Sequence, residues 1–181
     1  PDSKKLFTLQ LDTRQVQHLP LMEYVPGDGA LRPRVTFARR PVAFPEDDNV
    51  EEYRYLSIDV ETGEQQDALY SRCPVFRSGF SYFPLGHGWW SKDNRHAYFI
   101  DLERHGDHVA RLVEFDTETG STRVVLEDES PDACFKLKLD SRFPIHARPL
   151  VESDEFIWFS ERTGWGHLYL YDAKTGALKN P

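Results

Sequence analysis

Cysteine is scarce in this chain: Cys73 and Cys134 are the only two, and neither belongs to a Cys-x-x-Cys pair. A disulfide framework and a zinc ribbon are thereby excluded, since two isolated thiols supply neither the crosslinks nor the ligand set. Spacing leaves open whether the two form a single bridge. Cations are also in deficit, with 22 Lys and Arg against 30 Asp and Glu and a net charge of −8. That balance excludes a nucleic-acid footprint, because neutralising phosphates takes clustered Lys and Arg. No stretch reaches the ~18 consecutive apolar residues of a membrane-spanning helix. Nor is there a nucleophile elbow: Gly79-Phe80-Ser81-Tyr82-Phe83 lacks the second glycine and no helical pattern follows it. No Ser-His-Asp triad is expected within these residues, nor any cofactor. Pro1 to Lys5 contains no secretory apolar core, but the chain opens inside a repeat, so this says nothing about export.

What the sequence does have is repetition. Three alternating apolar runs each end in one acidic turn: Leu56-Ser57-Ile58-Asp59-Val60-Glu61-Thr62-Gly63, Val113-Glu114-Phe115-Asp116-Thr117-Glu118-Thr119-Gly120 and Tyr169-Leu170-Tyr171-Asp172-Ala173-Lys174-Thr175-Gly176. The three Asp residues stand 57 and then 56 positions apart. Asp-x-x-Thr-Gly after a period-2 run is a hairpin signal: the Asp side chain bonds backbone two residues on, and Gly accepts the positive φ that closes the turn.

The second and third copies agree over a longer stretch. His96 to Gly106 aligns with Glu155 to Gly164 at an offset of 58, the apolar run starting one position earlier in the latter. Each unit reads as strand, Glu-Arg-x-x-Gly corner, strand, Asp-x-x-Thr-Gly corner, short strand, as in Thr122 to Leu126. Gly88-Trp89-Trp90-Ser91 leads into the middle unit and gives it four strands. Four antiparallel strands recurring every 40 to 60 residues or so are the pattern of a β-propeller blade. The expected fold is therefore all-β, a partial propeller of about three four-stranded blades, with approximate units 1–70, 71–130 and 131–181. A closed ring of roughly four to eight blades needs more chain than this. A content of 13% aromatic residues supplies the side chains that pleated surfaces pack well.

Several residues invite a functional reading and are better read as structure. His105-Gly106-Asp107-His108, with His96 and His87 nearby, groups nitrogen and carboxylate donors, yet the alignment puts it at an exposed hairpin tip without a second shell, so no metal is expected. Glu46-Asp47-Asp48 and Glu127-Asp128-Glu129 read as solvated loop charge. Adjacent Trp89 and Trp90 point to opposite faces of a strand; with one face core and one face solvent, whichever points inward packs between blades, as does Trp165. Glu103-Arg104 and Glu161-Arg162 recur with the repeat and so mark a structural corner, held by an ion pair or a backbone bond.

At this point the sequence resembles a known family. Leu19-Pro20-Leu21-Met22-Glu23-Tyr24, then Pro33-Arg34-Val35-Thr36-Phe37, Arg40-Pro41 and the strand Glu52 to Asp59 follow the order of motifs in the propeller of dipeptidyl peptidase IV and its bacterial relatives, in the prolyl oligopeptidase superfamily. The most specific match is Phe156-Ile157-Trp158-Phe159-Ser160-Glu161-Arg162-Thr163-Gly164-Trp165-Gly166-His167-Leu168-Tyr169-Leu170-Tyr171-Asp172.

The resemblance implies an eight-bladed ring capping an α/β-hydrolase domain that carries the catalytic Ser, Asp and His, and that domain would lie beyond Pro181. It implies release of Xaa-Pro or Xaa-Ala dipeptides from peptides with a free N-terminus, and a periplasmic or secreted location. The propeller would gate access and hold the substrate's α-amino group through paired carboxylates, whose charge-assisted bonds a blocked peptide cannot make. That acidic pair would precede Pro1. Glu51-Glu52 is a tempting substitute, but its place reads as solvated loop. The family's pocket-lining Phe-Arg loop matches Ser141-Arg142-Phe143-Pro144-Ile145, where Phe143 keeps the aromatic and Pro144 replaces the Arg; Phe143 and, more weakly, Arg142 are the candidate substrate-binding residues.

The alternative is a non-catalytic propeller binding module, TolB-like or an inactive peptidase homologue. The irregular insertion between Leu19 and Pro45 and the Ser160-Glu161-Arg162 phrase favour the peptidase, since a general scaffold has no reason to hold either. Open sheet edges of a partial ring are expected to seek partners, and a homo-oligomer follows as the expected state.

Overall fold

The computed structural model describes residues 2–41, 47–71, 73–74, 88–102, 109–129 and 147–180. These residues form four antiparallel sheets, and their helical content is one 3-10 turn, Val151–Ser153. The middle sheet is a meander of β7 (Gly88–Trp90), β8 (His96–Leu102), β9 (Val109–Asp116) and β10 (Thr122–Glu129), each strand pairing with the next. Before it come β1 (Lys5–Asp12), β4 (Glu52–Asp59), β5 (Gln65–Asp67) and β6 (Cys73–Pro74), with both β5 and β6 pairing with β4. After it come β11 (Ala147–Leu150), β12 (Glu155–Ser160) and β13 (His167–Asp172), extended by a bridge from Tyr171 to Leu178. β2 (His18–Glu23) and β3 (Arg34–Pro41) form a separate ribbon. Three successive antiparallel sheets packed face to face are the partial β-propeller that the repeats predict.

The repeated turns are superimposable in chemistry. Asp59, Asp116 and Asp172 each accept bonds through Oδ1 from the amides two and three residues on, and each carbonyl accepts the N–H of Gly63, Gly120 or Gly176 at 2.8 to 2.9 Å. The three glycines sit at φ of 75°, 81° and 71°, left-handed conformations that a side chain resists.

The core lies between the sheets. In the middle sheet, Ala97, Phe99, Val113 and Phe115 face the first sheet and join Tyr55 and Ala68, with Phe7, Leu9 and Tyr70 at the margin. Tyr98, Ile100, Ala110 and Leu112 face the third sheet and join Phe156, Trp158 and Tyr171. Four consecutive residues of β8, Ala97 to Ile100, are thus all buried, because both faces of this sheet are covered. Burial of each large side chain here is worth roughly 1.5–3 kcal/mol.

The tryptophan pair departs from expectation for the same reason. Trp89 stacks on Tyr98 at 5.5 Å on one face, and Trp90 meets Phe7 edge-on at 6.2 Å on the other. Neither face is the solvent side; each tryptophan packs at a different inter-blade seam. Trp165, by contrast, is 78% exposed and packs at neither.

The ribbon leaves and re-enters the first sheet at one point, since Asp12 and Glu52 are cross-strand partners. It carries exposed Leu21, Met22, Tyr24, Val25, Leu31, Val35 and Phe37, and Arg34 ties its turn by bonding Glu23 at 2.8 Å and Asp28 at 2.6 Å.

Candidate functional site

A polar node lies in the seam between the middle and third sheets. Alternation along β12 points Phe156, Trp158 and Ser160 at the middle sheet, and all three are fully buried. The last is a hydroxyl, and a hydroxyl so placed needs a partner. Asp128 on β10, itself buried, supplies it: Ser160 Oγ donates to Asp128 Oδ1 at 3.0 Å, and Trp158 Nε1 donates to Oδ2 at 2.8 Å. Ser160 Oγ in turn accepts the backbone N–H of Arg162 at 3.1 Å. The Arg162 guanidinium donates to the Tyr171 hydroxyl and lies 3.9 Å from the centre of the Tyr169 ring. Burial alone would lower the Arg162 pKa, but bonds to Tyr171 and Tyr169 and the pull of Asp128 leave it raised.

The seam between the first and middle sheets has a counterpart. Asp101 accepts from the Tyr70 hydroxyl at 2.9 Å, and Arg111 lies 3.7 Å from Asp101 while donating to Glu127 at 2.6 Å. Each seam therefore joins its sheets through a buried aspartate that receives a ring-borne donor from the facing sheet. This is holding chemistry: Ser160 is closed to solvent and bonded to a carboxylate, so it is not an activated nucleophile.

A polar cleft of about 520 Å³ opens at the root of the ribbon, lined by Gln10, Asp12, Arg14, Glu52 and Arg54. Its cations are committed: Arg14 bonds Asp12 at 2.9 and 2.6 Å, and Arg54 bonds Gln10 at 2.7 Å and pairs with Asp67.

The residues singled out in the sequence fall unevenly. Phe143 and Arg142 lie outside the described residues, as do Ser81, His87, His105 to His108, Cys134 and the Glu103-Arg104 corner. The other corner is structural as expected: the Arg162 backbone N–H bonds the Ser160 hydroxyl, and its guanidinium bonds Tyr171 and stacks on Tyr169. His96 serves a turn, with Nδ1 2.6 Å from Asp93. Two acidic readings are corrected. Glu51 is only 6% exposed rather than solvated, and its neighbour Glu52 already belongs to β4. Glu127-Asp128-Glu129 is the end of strand β10, not a loop, and alternation turns Asp128 inward between two outward glutamates.

The sequence profile of the dipeptidyl peptidase IV (DPP IV) N-terminal region matches residues 1–180. The chain belongs to this family. Solved structures agree at the level of fold. Porphyromonas gingivalis dipeptidyl peptidase 4 superposes with a TM-score of 0.69 over 99% of this chain at 15% identity. A Bacteroides ovatus protein assigned as a dipeptidyl aminopeptidase IV superposes with a TM-score of 0.63 over 96% at 23% identity. The chain spans 22% of the length of each of those proteins. In this DPP IV N-terminal segment, the Trp158, Ser160 and Arg162 of the most specific sequence phrase are the three residues of β12 and its corner that build the inter-blade node.

Proposed function

We propose that this chain is the propeller portion of a serine exopeptidase that releases Xaa-Pro or Xaa-Ala dipeptides from free peptide N-termini. The match of the DPP IV N-terminal profile across residues 1–180 carries the reading. In it the propeller gates access to a hydrolase domain of the same protein and helps to hold the substrate's N-terminus. Phe143 lines the pocket, with Arg142 beside it. In this reading the catalytic residues belong to the hydrolase domain, and the segment alone is inactive. The exposed apolar side chains of the β2–β3 ribbon support self-association of the parent protein. Export to the periplasm or beyond belongs to the same reading.

The test compares hydrolysis of Gly-Pro-p-nitroanilide by this segment and by the protein extended to its natural C-terminus. Activity confined to the longer protein, weakened severalfold in KM by Phe143→Ala, is the expected result. A folded, full-length protein without activity overturns the reading in favour of a binding propeller.

A further inference from the structure

Asp28-Gly29 is the one Asp-Gly step in the sequence, and the chain has no Asn-Gly. It lies at the tip of the ribbon, between Glu23, where β2 ends, and Arg34, where β3 begins. Asp before Gly is the pair best suited to closing a succinimide ring, because no side chain crowds the approach of the Asp carboxyl to the next backbone nitrogen. The tip is open as well: nothing lies within 4 Å of where a Gly29 Cβ would stand, and the Asp28 side chain is 55% exposed. The Asp28 carboxyl is already folded forward across that peptide, since its Oδ1 accepts the N–H of Ala30, two residues on, at 3.1 Å.

Two contacts oppose the closure. The Gly29 N–H donates to the Pro26 carbonyl at 3.2 Å, which turns the attacking nitrogen to another use. Arg34 Nη1 donates to Asp28 Oδ2 at 2.6 Å while its Nε donates to Glu23 at 2.8 Å, so the guanidinium is anchored on its own cross-strand partner and cannot drift from the tip. A carboxylate held in this way stays ionised, and an ionised carboxylate gives up an oxygen far less readily than the acid. Arg34 first, and then the Ala30 amide, hold the Asp28 carboxyl below its usual range.

We infer that Asp28 is a site of spontaneous isomerisation to isoaspartate, and that the ion pair with Arg34 sets its rate. In the first step the Gly29 nitrogen bonds to Asp28 Cγ, and its proton leaves with the carboxyl hydroxyl as water. Water then opens the ring; opening at the former main-chain carbonyl leaves Gly29 attached through the side chain of residue 28. One water is lost and one gained, so solvent is the only co-reactant. The product carries an extra methylene in the main chain and a free carboxylate where the peptide had been. Arg34 loses the group it held, and the tip that presents Val25 and Leu31 to solvent takes a new course. None of this depends on the exopeptidase reading.

The test holds the full-length protein at neutral pH over time, digests it, and reads isoaspartate at residue 28 by mass spectrometry with electron-transfer fragmentation, which tells the two linkages apart. Arg34→Ala is expected to speed its appearance by about twofold to fivefold, the range that an exposed ion pair supports. Added salt should speed the wild type towards the variant and leave the variant unchanged, because screening acts on the pair. Asp28→Glu, whose longer side chain does not close the same ring, should give no signal. Absence of isoaspartate at residue 28 in both wild type and Arg34→Ala overturns the site. Equal rates in the two, or an equal response to salt, overturn the part given to Arg34. If Arg34→Ala does not fold, the wild-type salt series decides alone, and a rate independent of salt overturns the inference.

Discussion

Gly120 sits against the carbonyl oxygen of Asp67 so closely that a Cβ at that position would lie 2.8 Å from it. The contact crosses from the turn of the middle sheet to β5 of the first. Gly176 repeats it against the Val125 carbonyl of β10, whereas Gly63, the first member of the series, meets nothing within 4 Å. The same glycine has two duties in two of its copies: a positive φ and a seat on the preceding blade.

The glycines should therefore respond unequally to alanine. Gly63→Ala carries only the left-handed strain, about 1–2 kcal/mol. Gly120→Ala and Gly176→Ala add a backbone collision, a further loss of about 1–3 kcal/mol. Urea midpoints of the three variants are the check, and equal losses would count against the seating argument.

Removing the Asp128 carboxylate strands two buried donors. Asp128→Ala is expected to cost about 2–5 kcal/mol, because Trp158 Nε1 and Ser160 Oγ both lose their acceptor in a dry seam. Thermal denaturation reads this, and a loss below about 1 kcal/mol would show that the seam relaxes or admits water.

Arg95 grips Asp116 with two bonds, at 2.6 and 3.1 Å, and holds its carboxyl well below the usual carboxylate range, with the turn amides assisting. The folded pKa is thus depressed below an unfolded value near about 3.9. The contribution is fully present above that value and is lost as pH falls through the folded one. Arg95→Ala should therefore reduce stability by a constant amount near neutral pH, and the gap from wild type should narrow below about pH 4. Denaturant midpoints taken from pH 3 to 7 test this, and a gap that widened on acidification would contradict the sign.

Arg162→Lys should not be conservative. A planar guanidinium stacks on Tyr169 while bonding Tyr171, and an ammonium cannot do both in that geometry. A loss of about 1 kcal/mol is expected by thermal denaturation, and none in a Tyr169→Ala, Tyr171→Phe background, where the partners are already gone.

What was legible in the sequence follows local rules. The Asp-x-x-Thr-Gly turns announced themselves because an Asp side chain, a Thr and a positive-φ Gly act within a few residues of one another. The stretch between Leu19 and Pro45 read as an irregular insertion, whereas β2 and β3 pair within it as an antiparallel ribbon, because the partners Leu21 with Thr36 and Met22 with Val35 lie too far apart for a local rule. Asp128 was hidden because an acidic triplet looks the same in a loop and at a strand end. Only its partners on another sheet, Trp158 and Ser160, show that the middle residue turns inward. The tryptophan pair misled for a related reason: period-2 reasoning assumes a wet face, and stacking a sheet on each side removes it. Phe143 and Arg142 rest on family pattern rather than on any local rule of folding.

The pairing of Asp12 with Glu52 gives the ribbon a further meaning. A hairpin nested inside another, with its base closed by a cross-strand pair, leaves the parent sheet's register independent of what lies between. Since the entropy of closing a loop grows only with the logarithm of its length, the stretch from residue 13 to 51 can lengthen, shorten or be exchanged at small cost to the blade. Surface identity at this position is separable from architecture, and the ribbon can be exchanged while the blades stay in step.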